Sequence, residues 1–294
     1  MNELNDEYVR IVFESNGLLC AKFGRREQYP ELESRIFDDS HDAKAGVIAK
    51  AVALMNRLDS TSVFANFPED DAEFLREALR QIIDRGGLVP NDMPVGFAPF
   101  LDNNHLFGRI AELQRMFQYQ PLDTLADLVN YRTRLSLLST QFDHMIKNYL
   151  EGIRRKITLN KVGTNLMIQL CHDLSGENEN DKNSAARNSV FNRQIQAATL
   201  SGNTDFLVPV LRDSVLPGIK RVKDFLQNIY IHHCRQTDGI FGLANSKYEY
   251  ENLIYEYMES QLSADEVHEI GLKEVARITE LLVKAKNSCG FIGT

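Results

Sequence analysis

The chain has 294 residues, 43% of them apolar and 25% charged, with a formal net charge of -8. A chain of this length is one large domain or two small ones, it can bury roughly 75% of the surface its unfolded form exposes, and its apolar content argues against disorder. The acidic balance argues against nucleic acid as a partner, because phosphate binding needs an excess of Lys and Arg.

The apolar pattern is helical nearly throughout. Val47, Ile48, Ala51, Val52, Met55 and Leu58 recur at three- and four-residue steps and predict one buried stripe. Pro68-Glu69-Asp70-Asp71 then supplies a helix start, with acid in the first turn where the dipole favours it. Phe74, Leu75, Ala78, Leu79, Ile82 and Ile83 form the stripe of that helix, and Gly86-Gly87 stops it. Residues 88–104 hold Pro90, Pro94, Pro99 and Gly96, which break any helix and predict an extended segment packed on the body through Val95, Phe97, Phe100 and Leu101.

The strongest helix follows Pro121, with Leu135, Leu138, Phe142, Met145, Tyr149 and Ile153 stepping by three and four along one face. Thr158 is the expected cap of the next helix, whose stripe is Val162, Leu166 and Leu170; Gly163 inside it costs about 1 kcal/mol against alanine. Ser175 to Asn188 is polar and predicts a flexible loop. Pro217 opens a helix bearing Ile219, Val222, Phe225, Leu226 and Ile229. Asp238-Gly239 marks a turn, and Tyr248 to Met258 predicts a short helix. Ser263-Ala264-Asp265-Glu266 is a capping box, in which Ser and Glu satisfy each other's orphan donors. Val267, Gly271, Val275, Ile278 and Leu282 predict the buried stripe of that last helix, which ends near Lys284 to Asn287. The expected fold is mainly all-α: a multi-helix globular array forming a single helical domain over 1–294, with the extended Pro/Gly segment near 88–104 and the loop over 175–188.

Groups that could carry chemistry are scattered. His268-Glu269 matches the start of the zinc-peptidase pattern H-E-x-x-H, but the second imidazole must stand four residues on, and Leu272 occupies that place. His232-His233-Cys234 and Cys171-His172-Asp173 are neighbours in sequence, which on a helix point about 100° apart and do not converge on an ion. There is no G-x-S-x-G elbow and no P-loop. Arg132 and Arg134 beside Tyr131 read as solvated side chains, as do the basic clusters Arg154-Arg155-Lys156 and Lys220-Arg221 with Lys223. Cys20, Cys171, Cys234 and Cys289 lie far apart and form no C-x-x-C pair, so reduced, mostly buried thiols are expected. No N-x-[ST] sequon occurs, Met1 to Arg10 has no apolar leader-like run, and no stretch reaches the ~18 apolar residues of a membrane span. These features predict a cytoplasmic protein with no membrane partner.

One resemblance goes beyond pattern. Leu216-Pro217, Lys223-Asp224-Phe225-Leu226, Asp238-Gly239-Ile240-Phe241-Gly242-Leu243 and the run from Leu262 through Glu269 and Lys273 to Ile278 resemble the helical family named domain of unknown function 885. Asp123 to Leu135, the stretch from Gln141 through Gly152 to Leu170, and more loosely Tyr29-Pro30-Glu31-Leu32 and Asp38-Asp39-Ser40 look like further family segments. The resemblance implies a helical metallopeptidase whose zinc site lies in a C-terminal half, on a motif like H-E-x-x-P-G-H. This chain ends at Phe291-Ile292-Gly293-Thr294 without that motif. No catalytic, cofactor-binding or metal residue is therefore carried over, and zinc is expected only of full-length members. The chain is expected to be a partial or truncated member, inactive by itself. The alternative is a non-catalytic interaction module, meeting a protein partner or a second copy through faces that the other half would cover.

Overall fold

A computed structural model describes residues 2–60, 69–87, 119–175, 182–192, 205–237, 239, 242–243, 246–258 and 260–291. The Pro/Gly segment near 88–104, Pro68 and Asp238 lie outside these residues. The described residues are helical as expected, and no strand occurs among them; one isolated parallel bridge joins Asn160 and Arg235. The chain divides into two compact units, Met1–Asp238 and Gly239–Thr294.

In the first unit, α1 (Asn2–Ser15), α3 (His41–Leu58) and α4 (Glu69–Gly87) share a core of Leu4, Ile11, Ala51, Leu54, Leu58, Leu75 and Leu79. Ser40 caps α3, its hydroxyl accepting from Ala43 N–H at 3.2 Å. The expected stripes are rotated slightly. Leu54 is buried while Val52 is exposed, and Phe74 of α4 stands 77% exposed with Ala72 buried in its stead. Short α2 (Leu18–Lys22) and two single 3-10 turns, Arg26–Gln28 and Pro30–Leu32, follow α1.

The axis of the unit is α5 (Leu125–Arg155), begun by a capping box between Thr124 and Asp127. Its buried row includes Leu128, Tyr131, Leu135, Leu138, Phe142, Met145, Tyr149 and Gly152, which matches the expected stripe except that Gly152, not Ile153, closes it. The helix stops at Lys156, which takes the left-handed conformation at φ 61.

Next comes α6 (Lys161–Ser175), where two expectations change. Asn160, not Thr158, is the capping residue: its Oδ1 accepts from Gly163 N–H at 2.8 Å. A Cβ on residue 163 would come 3.1 Å from that oxygen, so the glycine that weakens the helix interior accommodates its cap. The buried row is Thr164, Met167, Cys171 and Leu174, whereas Val162 is 64% exposed and Leu166 is exposed too. Two rows of similar apolarity compete on this helix. The winning row faces α8 and includes Thr164, whose hydroxyl meets the thiol of Cys234 at 3.0 Å. The loop expected over 175–188 is also revised, because Ser175 closes α6 and Lys182–Asn188 forms α7. Among the described side chains of α7 only Ala185 and Ala186 are buried, too weak a signal to show in a polar string.

α8 (Leu216–Asn228) packs on both α5 and α6, burying Leu216, Gly218, Ile219, Val222, Phe225 and Leu226; Ile229 is exposed beyond its end. A helical turn at Val208–Val210 and a π-helical turn at Leu211–Val215 precede it, with Leu216 N–H reaching back to Leu211 C=O. Pro217 explains the wide turn: it has no N–H for the Asp213 carbonyl, and its ring needs the space there. Gly218 lets α8 close on α5, since a Cβ would stand 2.5 Å from Cδ2 of Phe142.

The second unit holds α9 (Ser246–Met258) and α10 (Ala264–Ser288). The capping box of α10 forms as expected: Ser263 N–H donates to Glu266 Oε2 at 2.8 Å and Glu266 N–H to Ser263 Oγ at 3.3 Å. Its expected buried stripe does not: α10 has no buried residue, and Val275, Ile278 and Leu282 are 65%, 46% and 63% exposed.

Candidate functional site

The groups singled out in the sequence are kept apart. His268 and Glu269 lie exposed on α10. His232 and His233 end a 3-10 turn and are exposed, while Cys234 turns inward, its thiol 3.7 Å from Tyr230 C=O. On α6, Cys171 is buried, His172 half-buried, and Asp173 exposed with Gln169 Nε2 on its carboxylate at 2.8 Å. Among the described residues no three His, Cys, Asp or Glu side chains gather where they could hold a metal ion. Burial pushes the thiols of Cys20 and Cys234 up, so neither is a ready thiolate at neutral pH.

Polar groups do converge where the first turns of α5 meet the segment 17–36. Arg134, expected in solvent, is 2% exposed. Its Nε donates to Arg35 C=O at 3.0 Å, its Nη1 to Gln120 Oε1, and its Nη2 lies 3.5 Å from the carbonyls of Gly17 and Leu32. Gly17 is required there, because a Cβ would meet Leu32 O at 2.5 Å and Arg35 O at 2.8 Å. Burial lowers the Arg134 guanidinium to about 10, against a weaker upward pull from Glu33. It therefore stays protonated at neutral pH, a buried cation held by neutral oxygens.

Beside it runs a chain of ions. Arg26 donates to Glu33 at 2.9 and 3.1 Å and to Asp127 Oδ1, while Asn130 Nδ2 donates to Glu33 Oε2 at 3.1 Å. Asp127 also takes the N–H and hydroxyl of Thr124 at 2.9 and 2.8 Å. Burial pushes the Asp127 carboxyl up, but the Thr124 and Arg26 hydrogen bonds outweigh it and hold it below the usual carboxylate range. Tyr131, one turn before Arg134 on α5, donates its hydroxyl to Phe191 C=O at 2.8 Å. Arg132 points the other way, its guanidinium 4.9 Å from the Phe206 ring centre.

A second junction lies further along α5. Asp39 N–H donates to Gln141 Oε1 at 2.9 Å, Asn148 Nδ2 to Asp39 C=O at 3.1 Å, and Lys44 pairs with Asp39 at 3.2 Å. His144 Nδ1 stands 3.2 Å from Asp38 Oδ1, off the line of a hydrogen bond. Both junctions do the same thing: side chains of α5 grip backbone carbonyls and N–H groups of an irregular segment that has no ladder of its own. The donors of Arg134 are taken up by that segment and by Gln120, so the guanidinium positions chain.

These contacts join residues about a hundred apart, Arg26 to Asp127 being 101 residues, and so escaped reading by spacing. One signal was present. Arg134 falls three residues after Tyr131 and four before Leu138, on the buried row of α5.

The segments Tyr29–Leu32 and Asp123–Leu135 that meet here are among those carrying the family resemblance. The model of the family described as bacterial protein of unknown function (DUF885) matches residues 21–294. The chain belongs to this family. No curated protein matches it. Among solved structures, a family-like helical fold recurs in one described as "putative lipoprotein from Colwellia psychrerythraea", with a TM-score of 0.79 and 17% identity. The alignment covers 99% of this chain and 52% of that one, so this DUF885 chain spans about half the length of that protein. At such identity the likeness is one of fold. Among the described residues no helix is long and apolar enough to cross a membrane.

Proposed function

We propose that this chain is one half of a longer helical architecture, the N-terminal part of a metallopeptidase-like hydrolase, and that it shapes a cleft without performing hydrolysis itself. The observation that carries the reading is the extent of the structural match: nearly all of this chain lies on about half of a solved relative. The rigid device for such a role is α5, whose side chains Arg134, Gln141 and Asn148 fasten irregular segments that a cleft wall needs to hold still. Zinc belongs, in this reading, to the other half. The same reading places the protein in the cytoplasm, in keeping with four unbridged cysteines, and cell fractionation checks it.

The purified chain is incubated with zinc and a peptide library, and the expected result is no cleavage. Metal-dependent turnover that tracks the chain through successive chromatographic steps would overturn the reading. The second reading, a non-catalytic interaction module, is favoured by one observation: Val275, Ile278 and Leu282 of the apolar row of α10 are exposed.

A further inference from the structure

Among the described residues of the second unit only Leu243, Ser246 and Ile254 are buried, while Tyr257 of α9 and Ile270, Val275, Ile278, Leu281 and Leu282 of α10 stand exposed. A helix that exposes such a row favours cover for it. The pattern on α10 says what kind. Val267, Gly271, Val275, Ile278, Leu282 and Ala285 step by four, four, three, four and three, one continuous row along a 25-residue helix. The charges are divided by end. Ala264–Glu274 carries Asp265, Glu266, Glu269 and Glu274 against Lys273, and Val275–Ser288 carries Arg277, Lys284 and Lys286 against Glu280.

We propose that this row pairs antiparallel with the same row of a second copy of the chain. A helix acidic at its start and basic at its end is complementary to itself only when reversed. That arrangement sets Asp265 and Glu266 of each copy near Lys284 and Lys286 of the other, and it opposes the two helix dipoles. A parallel pair would set like charge on like. Side-chain sizes agree with the reversal. With the two-fold near Ala276, Gly271 faces Leu281 and Leu282 and Val267 faces Ala285, so small meets large toward the ends of the seam, while Val275 lies beside Ile278 at its centre. Glu274 stands at the edge of the row beside Val275, and its carboxylate is already engaged by Arg277 at 2.7 Å. The contact is isologous, closing as a dimer rather than growing into a fibre.

Sedimentation velocity and light scattering over a wide concentration range test this on the whole chain. The expected result is a reversible dimer. Val275→Glu with Ile278→Glu gives a monomer of unchanged helical circular dichroism, because neither side chain is buried. Lys284→Glu with Lys286→Glu, which leaves the apolar row intact, weakens association roughly tenfold at low salt and changes nothing at high salt. Cys289, exposed at the end of α10, reports direction. In the antiparallel pair the two thiols lie at opposite ends of a helix about 37 Å long and form no interchain disulfide on mild oxidation. A monomer at every concentration overturns the proposal, as does a dimer indifferent to both double variants or one locked quickly through Cys289. A monomer would leave the hydrolase-half reading untouched, and peptide turnover would leave the pairing untouched.

Discussion

Replacing Gly218 by alanine and Gly46 by alanine makes the same chemical change in two helices with opposite expected sign. Alanine gains about 1 kcal/mol over glycine in a helix interior. At Gly46 of α3 a new Cβ meets nothing within 4 Å, so that gain stands nearly alone, about 0.5–1 kcal/mol of added stability. At Gly218 the Cβ would stand 2.5 Å from Phe142 Cδ2 and 3.2 Å from Cε2. Carbon atoms rest at about 3.5–4.0 Å, so ring or helix must retreat by about an ångström. Phe142 is fully buried in the row of α5 and has nowhere to go. Overpacking of this kind costs about 1–3 kcal/mol, occasionally more, and offsets or exceeds the helix gain of about 1 kcal/mol, leaving a net loss of up to about 2 kcal/mol. Urea unfolding followed by far-ultraviolet circular dichroism reads both. Phe142→Leu in the Gly218→Ala background should cost less than in the wild-type chain, a coupling visible in a double-mutant cycle. A Gly218→Ala chain as stable as wild type, with no coupling to Phe142, would refute the close approach of α8 and α5.

Arg134→Met should cost about 3–5 kcal/mol, because it leaves Arg35 C=O and Gln120 Oε1 buried without donors; Arg134→Lys should not restore it, since an ammonium cannot span the same fork. Limited proteolysis within 17–36 should accelerate in both variants. Asp127 has a folded carboxyl below its unfolded value, so its contribution is complete above the ordinary carboxylate range and is lost as pH falls through the folded value. Asp127→Asn should therefore flatten the acid limb of a stability–pH profile and lower stability at neutral pH, as measured by urea midpoints. Lys156→Gly should raise the melting temperature by relieving a left-handed residue that carries a side chain, a gain of about 1 kcal/mol.

The helices were legible where local chemistry is strong. Ser263 with Glu266 is a capping signal that acts within one turn, and the row from Leu135 to Tyr149 is apolar enough to admit one buried face; Thr124 with Asp127 is a signal of the same kind that the sequence reading passed over. Legibility failed where two faces were nearly equal. On α6 the row with Val162 and Leu166 lost to the row with Met167 and Cys171, and only the neighbouring α8 and the hydroxyl–thiol contact to Cys234 break that tie. On α10 the period was right and burial was absent, since amphipathicity says that a face wants cover and not what supplies it.

The polar interior follows the same division. The sequence by itself determined that this is a helical chain of a recognisable family, because caps, breaks and apolar periods are set by residues a few positions apart. Only the tertiary structure decided that Arg134 lies inside and that Arg26 reaches Asp127, because the cost of burying a guanidinium depends on which carbonyls arrive from distant segments to receive it.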